Sequence, residues 1–137
     1  MINNGPFDIP TAERRLLSSL RKRPAMYLGK KSLTRFEAWY HGYEAAIVTA
    51  GLSYYEHNIL PDGKMSIHDY AAEKYLGKGK ESTCGWINCI RTFEPDDTKA
   101  LDVCFEFLDE YLIHLGFEPV PDWDEEHKKF YAENFGE

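Results

Sequence analysis

The sequence lacks any long uninterrupted run of apolar residues. None approaches the roughly 18 consecutive apolar residues that a membrane-spanning helix needs, so no membrane partner is expected. The first ten residues, MINNGPFDIP, carry neither a basic stretch nor an apolar one and do not predict a secretion signal. Cysteine is scarce too: there are three, an odd number that argues against a disulfide framework in a chain of this size. Together these absences predict a cytoplasmic protein.

The motifs of common metal and catalytic sites are also missing. The five histidines do not have the HExxH spacing of zinc enzymes, and Cys84 and Cys89 have no second cysteine pair to complete a zinc site. No metal or cofactor is therefore expected. Cys84 with His68 as its base is the best candidate for nucleophilic catalysis, although a free cysteine is more often a small buried apolar side chain.

The composition that remains is that of an ordinary globular domain. The 137 residues are 43% hydrophobic and 15% aromatic, which is enough for one core and too short for a second. We expect a single domain over 1–137, with flexible ends at 1–10 and 133–137.

Charge is distributed unevenly along the chain. Residues 1–50 hold eight Lys or Arg against four Asp or Glu, whereas residues 92–137 hold three against fourteen. The net charge of −7 makes nucleic acid an unlikely partner, because a duplex would be repelled by the acidic end. Either the two ends face each other in the fold, or one of them faces a partner of opposite charge.

Hydrophobic periodicity and capping residues predict an all-α fold, a bundle of five or six helices. The segment at 84–93 suits a helix but is short enough to be a strand. The other helices are expected over 12–22, from Ser32 to before Gly51, from Ser66 to Leu76, over 98–115, and from Asp122 or Asp124 toward the C-terminus.

A helix stop separates the first two of these helices. Proline at 24 pushes Arg23 out of the helical region, and Gly29 precedes the restart at Ser32. We expect a structural corner made of Arg23, Pro24, Met26, Tyr27 and Gly29, in which Met26 and Tyr27 are tucked inward together with Leu28.

The stretch RKRPAMYLG at 21–29 resembles a segment near the start of the ATPase domain of gyrase B and related type II topoisomerases. In that family, a Glu on the next helix activates water and an Asn four residues later helps to hold Mg²⁺. The matching positions here are Trp39 and Tyr43, which can do neither. The resemblance covers less than a third of the chain and implies a shared local structure without ATPase activity.

The same stretch, with Ser-Leu and a helix bearing Gly-Tyr after it, also resembles small uncharacterised bacterial helical proteins with an RPxMYLG signature. Some of these are immunity-like or antitoxin-like. This resemblance implies a protein-binding role and carries no catalytic residues.

One face of the helix predicted over 98–115 is acidic: it holds Asp102, Glu106, Asp109 and Glu110. Like charges at this spacing repel each other, so the face either keeps the domain in solution or attracts a basic partner. We predict a non-enzymatic, protein-binding domain, an immunity-like or antitoxin-like neutraliser that binds a basic protein through this face.

The alternative is a small-molecule-binding or hydrolytic domain. Its pocket would lie between helices near Trp39, His68 and Trp86, because aromatic side chains with a few polar groups are typical of ligand sites.

The loss of the catalytic positions gives a direct test of the topoisomerase resemblance. Millimolar ATP with Mg²⁺ should leave the thermal unfolding temperature unchanged, because a ligand that does not bind the folded state cannot stabilise it. Differential scanning fluorimetry against a sample matched in Mg²⁺ and ionic strength measures this. A rise specific to ATP would contradict the prediction.

Overall fold

Helices make up most of the structure. The computed structural model of the protein describes residues 11–52, 65–77, 79 and 84–136. These ranges contain seven helices and no strand. The helices are α1 (Thr11–Lys22), α2 (Pro24–Leu28), α3 (Leu33–Thr49), α4 (Ile67–Tyr75), α5 (Trp86–Phe93), α6 (Asp97–His114) and α7 (Trp123–Asn134).

The all-α prediction is confirmed for the described part of the chain. The number of helices exceeds the predicted five or six because the corner after Arg23 is itself a helical turn, α2. The segment at 84–93, which the sequence leaves open between helix and strand, forms helix α5. The 1–10 end that we expected to be flexible lies outside the described residues, as does position 137, whereas Glu133 and Asn134 belong to α7.

Side-chain caps fix where the helices begin. Ser32 and Ser66 each accept a hydrogen bond from the backbone N–H three residues along, at 3.1 Å. Asp96 caps α6, and Asp122 caps α7. Of the two starts that the sequence left open for α7, Asp122 and Asp124, the structure has the cap at Asp122.

Helix α6 lies at the centre of the core. Its buried side consists of Ala100, Leu101, Cys104, Phe105, Phe107, Leu108, Tyr111 and Leu112. Rings from three other helices pack on this side. They are Phe36 of α3 against Phe105, Trp86 of α5 against Phe107, and Tyr70 of α4 against Tyr111.

The expected corner exists, but its side chains point differently from the prediction. Met26 is 66% exposed and Tyr27 46% exposed, and only Leu28 is buried. The reason is that α2 is a single turn, which can direct only part of its surface inward. Gly29 ends α2 with φ +86°, and a side chain there would collide with the Arg35 guanidinium.

The first residue of α6 ties that helix to the start of α3. The Asp97 carboxylate accepts hydrogen bonds from the Ser32 hydroxyl and from both the N–H (3.0 Å) and the hydroxyl (2.9 Å) of Thr34. Ser32 is 1% exposed. A carboxylate at the positive end of α3 is favoured by the helix dipole. We call this arrangement the Asp97 clamp.

Hydrogen bonding sets the charge state of the clamp. Partial burial acts to raise the pKa of Asp97, but the hydrogen bonds from Ser32 and Thr34, together with the nearby Arg91 charge, outweigh it and hold the pKa below its ordinary value. The contribution of Asp97 to folding is therefore complete above the unfolded-state pKa. It is lost as the pH falls through the lower, folded-state pKa.

Replacement of the clamp carboxylate should destabilise the protein in a pH-dependent way. Asp97→Asn should lower the free energy of unfolding at neutral pH by about 1 to 2 kcal/mol, because a charged acceptor of several hydrogen bonds is lost. Urea unfolding at a series of pH values should show the gap to the wild type closing in acid.

Asp96→Asn is the matched control for this experiment. Asp96 caps its own helix by accepting from the N–H groups of Thr98 and Lys99, and asparagine caps about as well as aspartate. This variant should stay close to the wild type. Equal effects of the two substitutions would contradict the special role of Asp97.

Candidate functional site

The structure separates the four acidic residues of the predicted contact face. The Asp102 carboxylate lies 2.6 Å from Lys31, and that of Asp109 lies 2.7 Å from Arg21. Both cations belong to the basic N-terminal part of the chain. These two carboxylates therefore serve contacts within the fold, as expected if the oppositely charged ends face each other.

Of this pair, Asp109 makes more contacts within the fold and is less exposed. Its second oxygen accepts a hydrogen bond from the backbone N–H of Val120 at 2.9 Å, and its side chain is 26% exposed against 61% for Asp102. Asp109 thus binds α1 through Arg21, and it binds the segment between α6 and α7 through Val120. Its replacement would disturb the fold before any interface.

The other two acidic residues face a different side of α6. Glu110 lies 2.8 Å from Lys74 of α4. Glu106 is exposed and, among the described residues, has no ion-pair partner. Of the four predicted contact residues, Glu106 is therefore the one whose charge remains available to a partner.

Glu106 and Glu110 stand at the rim of a cleft between α4, α5 and α6, with a volume of about 360 Å³. We call it the Phe93 cleft. Its other lining side chains are largely apolar or aromatic, and Lys74 is the one cation among them. The lining residues are Lys74, Tyr75, Phe93, Val103, Glu106, Phe107 and Glu110.

Three aromatic rings give the Phe93 cleft its shape. The Tyr75 ring lies 4.8 Å from that of Phe93 and 5.8 Å from that of Phe107, between centroids. Phe107 is fully buried, whereas Phe93 is 59% exposed. The cleft thus has a floor that is continuous with the core and one large apolar ring open to solvent.

A cation of the protein itself already occupies part of the cleft. The Lys74 ammonium lies 5.5 Å from the centre of the Tyr75 ring while it pairs with Glu110. An ammonium above an aromatic face is attracted by the ring quadrupole. Burial, and then the charges of Glu110 and other neighbours, raise the pKa of Tyr75, so the phenol keeps its proton.

The sequence could not reveal this cleft. Phe93 lies at the end of a segment whose secondary structure was uncertain, and Tyr75 lies in a short helix far from both acidic residues. The acidic face of α6 was the one sequence pattern that pointed to this region. It predicts Glu106 and Glu110 at the rim of the cleft but not the aromatic residues of its floor.

The predicted pocket residues have structural roles. Trp86 is 2% exposed and packs between Tyr40 and Phe107, with ring centroids 6.0 and 5.8 Å away. Trp39 is stacked on Phe36 and Tyr43. Neither tryptophan lines the Phe93 cleft or the two clefts beside α7 described below.

His68 contacts Trp86 through the backbone. Its Nδ1 accepts a hydrogen bond from the Trp86 N–H at 3.1 Å. The residue before α5 is Gly85, which has no side chain to cap the helix. His68 therefore supplies from α4 the acceptor that the first turn of α5 lacks.

Among the described residues, the surroundings of Cys84 do not activate it as a nucleophile. Cys84 is exposed, and its sulfur lies 3.9 Å from the Gly85 carbonyl oxygen. The Nδ1 of His68 already accepts a hydrogen bond from the Trp86 N–H. Cys89 and Cys104 are buried, and burial raises the pKa of the Cys104 thiol, which makes it unreactive.

The part of the chain that the structure describes holds neither a cluster of metal ligands nor a membrane-spanning helix. No group of three His, Cys, Asp or Glu side chains there is placed to hold a metal ion. None of the helices is long and apolar enough to cross a membrane.

The capping role of His68 can be measured. His68→Ala should lower the free energy of unfolding by about 1 kcal/mol, because the N–H of Trp86 loses its acceptor. Chemical denaturation followed by tryptophan fluorescence provides the value. His41→Ala, which truncates an exposed histidine of α3, should change it by less than about 0.5 kcal/mol. Equal losses in the two variants would rule out the cap.

Comparisons of the chain with models of protein families, with characterised proteins and with solved structures find no match. The contacts and charges of the chain itself are therefore the basis for assigning a function.

Proposed function

We propose that the protein is a non-enzymatic binding domain that recognises a basic protein, in the manner of an immunity protein or antitoxin that neutralises its target. The Phe93 cleft is its contact site. The observation that carries the proposal is the pairing of an exposed aromatic ring, Phe93, with a carboxylate, Glu106, that has no ion-pair partner among the described residues.

The chemistry of the cleft fits the side chain of lysine or arginine. Such a side chain has an apolar stem, which can lie along Phe93 and Val103, and a cationic head, which can reach Glu106. Lys74 supports this assignment, since it places its own ammonium over Tyr75 and against Glu110. A cation from a partner would complete the half of the cleft that Lys74 leaves open.

The charge of the whole chain favours the same class of partner. A net charge of −7 attracts basic proteins over long distances and raises their association rate. The exposed Phe93 adds the apolar contact that long-range attraction cannot supply, because hot spots of protein interfaces usually contain a large ring surrounded by polar groups.

Binding is favoured over catalysis by the state of the polar groups in the cleft. Tyr75 has a raised pKa and cannot serve as a base near neutral pH. Glu106 is exposed and Glu110 is paired with Lys74, so neither lies in the desolvated environment that prepares a carboxylate for acid–base catalysis. A cytoplasmic location is part of the proposal, because all three cysteines are free.

The cleft should bind a small basic probe. Titration of the ¹⁵N-labelled protein with acetyl-phenylalanyl-arginine amide should shift the amide signals around Tyr75, Phe93 and Val103, with a dissociation constant in the millimolar range. Glu106→Lys should weaken this binding at least about fivefold, because it replaces the attracting charge with a repelling one.

Asp102→Lys is the matched control, since it makes the same charge change on the same helix but outside the cleft. It should weaken binding much less than Glu106→Lys. Equal weakening in the two variants would mean that only the overall charge matters. Signal shifts spread over the surface and away from Phe93 would refute the site.

Removal of the internal cation should have the opposite effect. Lys74→Gln should strengthen binding of the same probe about two- to fivefold, because Glu110 and the face of Tyr75 become free for the ligand. Lys99→Gln, which removes an exposed positive charge from the first turn of α6, controls for the change in net charge. If both variants bind alike, Lys74 does not compete for the site.

The neutralising role requires a protein partner. Basic proteins encoded by neighbouring genes are the first candidates, and calorimetry with the purified pair should detect a complex that Glu106→Lys weakens and Asp102→Lys retains. A complex that is insensitive to both substitutions would place the interface elsewhere.

A further inference from the structure

Helix α7 is attached to the protein in an unusual way. It has no buried residue. Charged and aromatic side chains join it to α1 and to the corner that follows α1. Arg15 and Glu133 lie 3.1 Å apart, and Lys22 and Asp124 lie 3.6 Å apart. Arg15 also lies over the ring of Phe130 at 5.6 Å.

The corner residue Arg23 takes part in this attachment. Its guanidinium lies 4.7 Å from the centre of the Trp123 ring. Arg15, Lys22 and Arg23 thus contact two aromatic rings and two carboxylates of α7. Trp123 and Phe130 are seven residues apart and fall on the same side of α7.

The contact between α1 and α7 is incompletely filled. A cleft of about 560 Å³ lies beside Arg14 and residues 118–122, and another of about 370 Å³ lies between Ser18 and Trp123. The Ser18 hydroxyl and the Arg15 Nε, two polar atoms of α1, are buried and have no hydrogen-bond partner among the described residues. Buried polar atoms are normally satisfied, so this surface has binding capacity that α7 does not use.

These observations distinguish α7 from the core helices. Exposed ion pairs contribute little because water and salt screen them, and α7 adds no buried apolar side chain to hold it in place. A helix attached in this way can be displaced from its surface by a better-fitting one without unfolding the core.

We infer that the surface of α1 beneath α7 is a second docking surface, which takes an acidic helix bearing aromatic side chains from a partner protein, and that α7 is its internal occupant. The α1 docking surface comprises Arg15, Ser18, Lys22 and Arg23. Its ligand is described by α7 itself: carboxylates that reach Arg15 and Lys22, and rings that stack on Arg15 and Arg23. Ser18 offers a further hydrogen-bonding group to a ligand that fills the cleft.

An acidic helix fits this surface better than a nucleic acid does. Asp109 and Glu118 lie around the basic side chains and would repel a continuous row of phosphates. Separate carboxylates at the spacing of α7 meet the cations and avoid these acidic groups. The inference is independent of the Phe93 cleft, because the two sites share no residue.

The test uses the full chain and a labelled synthetic peptide with the sequence of residues 122–136. Asp124→Lys with Glu133→Lys should release α7 from α1. This double variant should bind the peptide at least about tenfold more tightly than the wild type does, since a tethered helix competes at an effective concentration of millimolar order. Fluorescence anisotropy measures both affinities, and circular dichroism checks that the core stays folded.

Two controls decide whether the binding is specific. The same peptide with lysine at the positions of Asp124 and Glu133 should bind the double variant several-fold more weakly, because repulsion replaces two ion pairs. Arg15→Glu added to the double variant should weaken binding of the original peptide in the same way. Equal peptide affinity in the wild type and the double variant, or no peptide binding by the double variant, would overturn the inference. So would tighter binding of a 15-nucleotide single strand than of the peptide.

Discussion

The burial of α6 is the constraint on which the rest of the structure depends. Eight of its eighteen residues are buried, and rings from α3, α4 and α5 pack against them. The Tyr111 hydroxyl reaches the Met65 carbonyl oxygen at 3.0 Å, and the Asp97 clamp joins the first turn of α6 to α3. Because so much of its surface is inside, α6 has only a narrow stripe for polar residues. The four carboxylates on that stripe therefore have consequences for the fold or for binding.

The division of that stripe explains both the fold and the candidate site. Asp102 and Asp109 lie on the side that faces the basic N-terminal part, and they hold Lys31 and Arg21. Glu106 and Glu110 are turned toward α4 and α5, where Phe93 and Tyr75 provide an apolar surface. A sequence pattern that treats four carboxylates on one helix as equivalent cannot separate these roles. The separation follows from which neighbouring helix each side chain meets.

What could be predicted from the sequence was mostly local. Ser32 and Ser66 cap their helices through the N–H three residues along, so a short window was enough to locate those helices. The exposure of Met26 and Tyr27 was missed because α2 is a single turn, and only Leu28 lies on the side of it that faces the core. The Phe93 cleft was out of reach because it joins Tyr75, Phe93 and Glu106 from three helices. The capping role of His68 was out of reach for the same reason: the helix it caps begins eighteen residues later.

The two proposed surfaces share a physical principle, although they share no residues. In each, a group of the protein already uses part of the proposed binding surface: Lys74 over Tyr75 in the cleft, and α7 on α1. Such an occupant lowers the apparent affinity for every ligand, because the binding-competent state is only part of the population. Ligands that bind weakly and nonspecifically are then displaced by the occupant, whereas a partner that makes additional contacts still binds. If the chain binds a basic protein as proposed, this selectivity would favour that partner over other basic proteins.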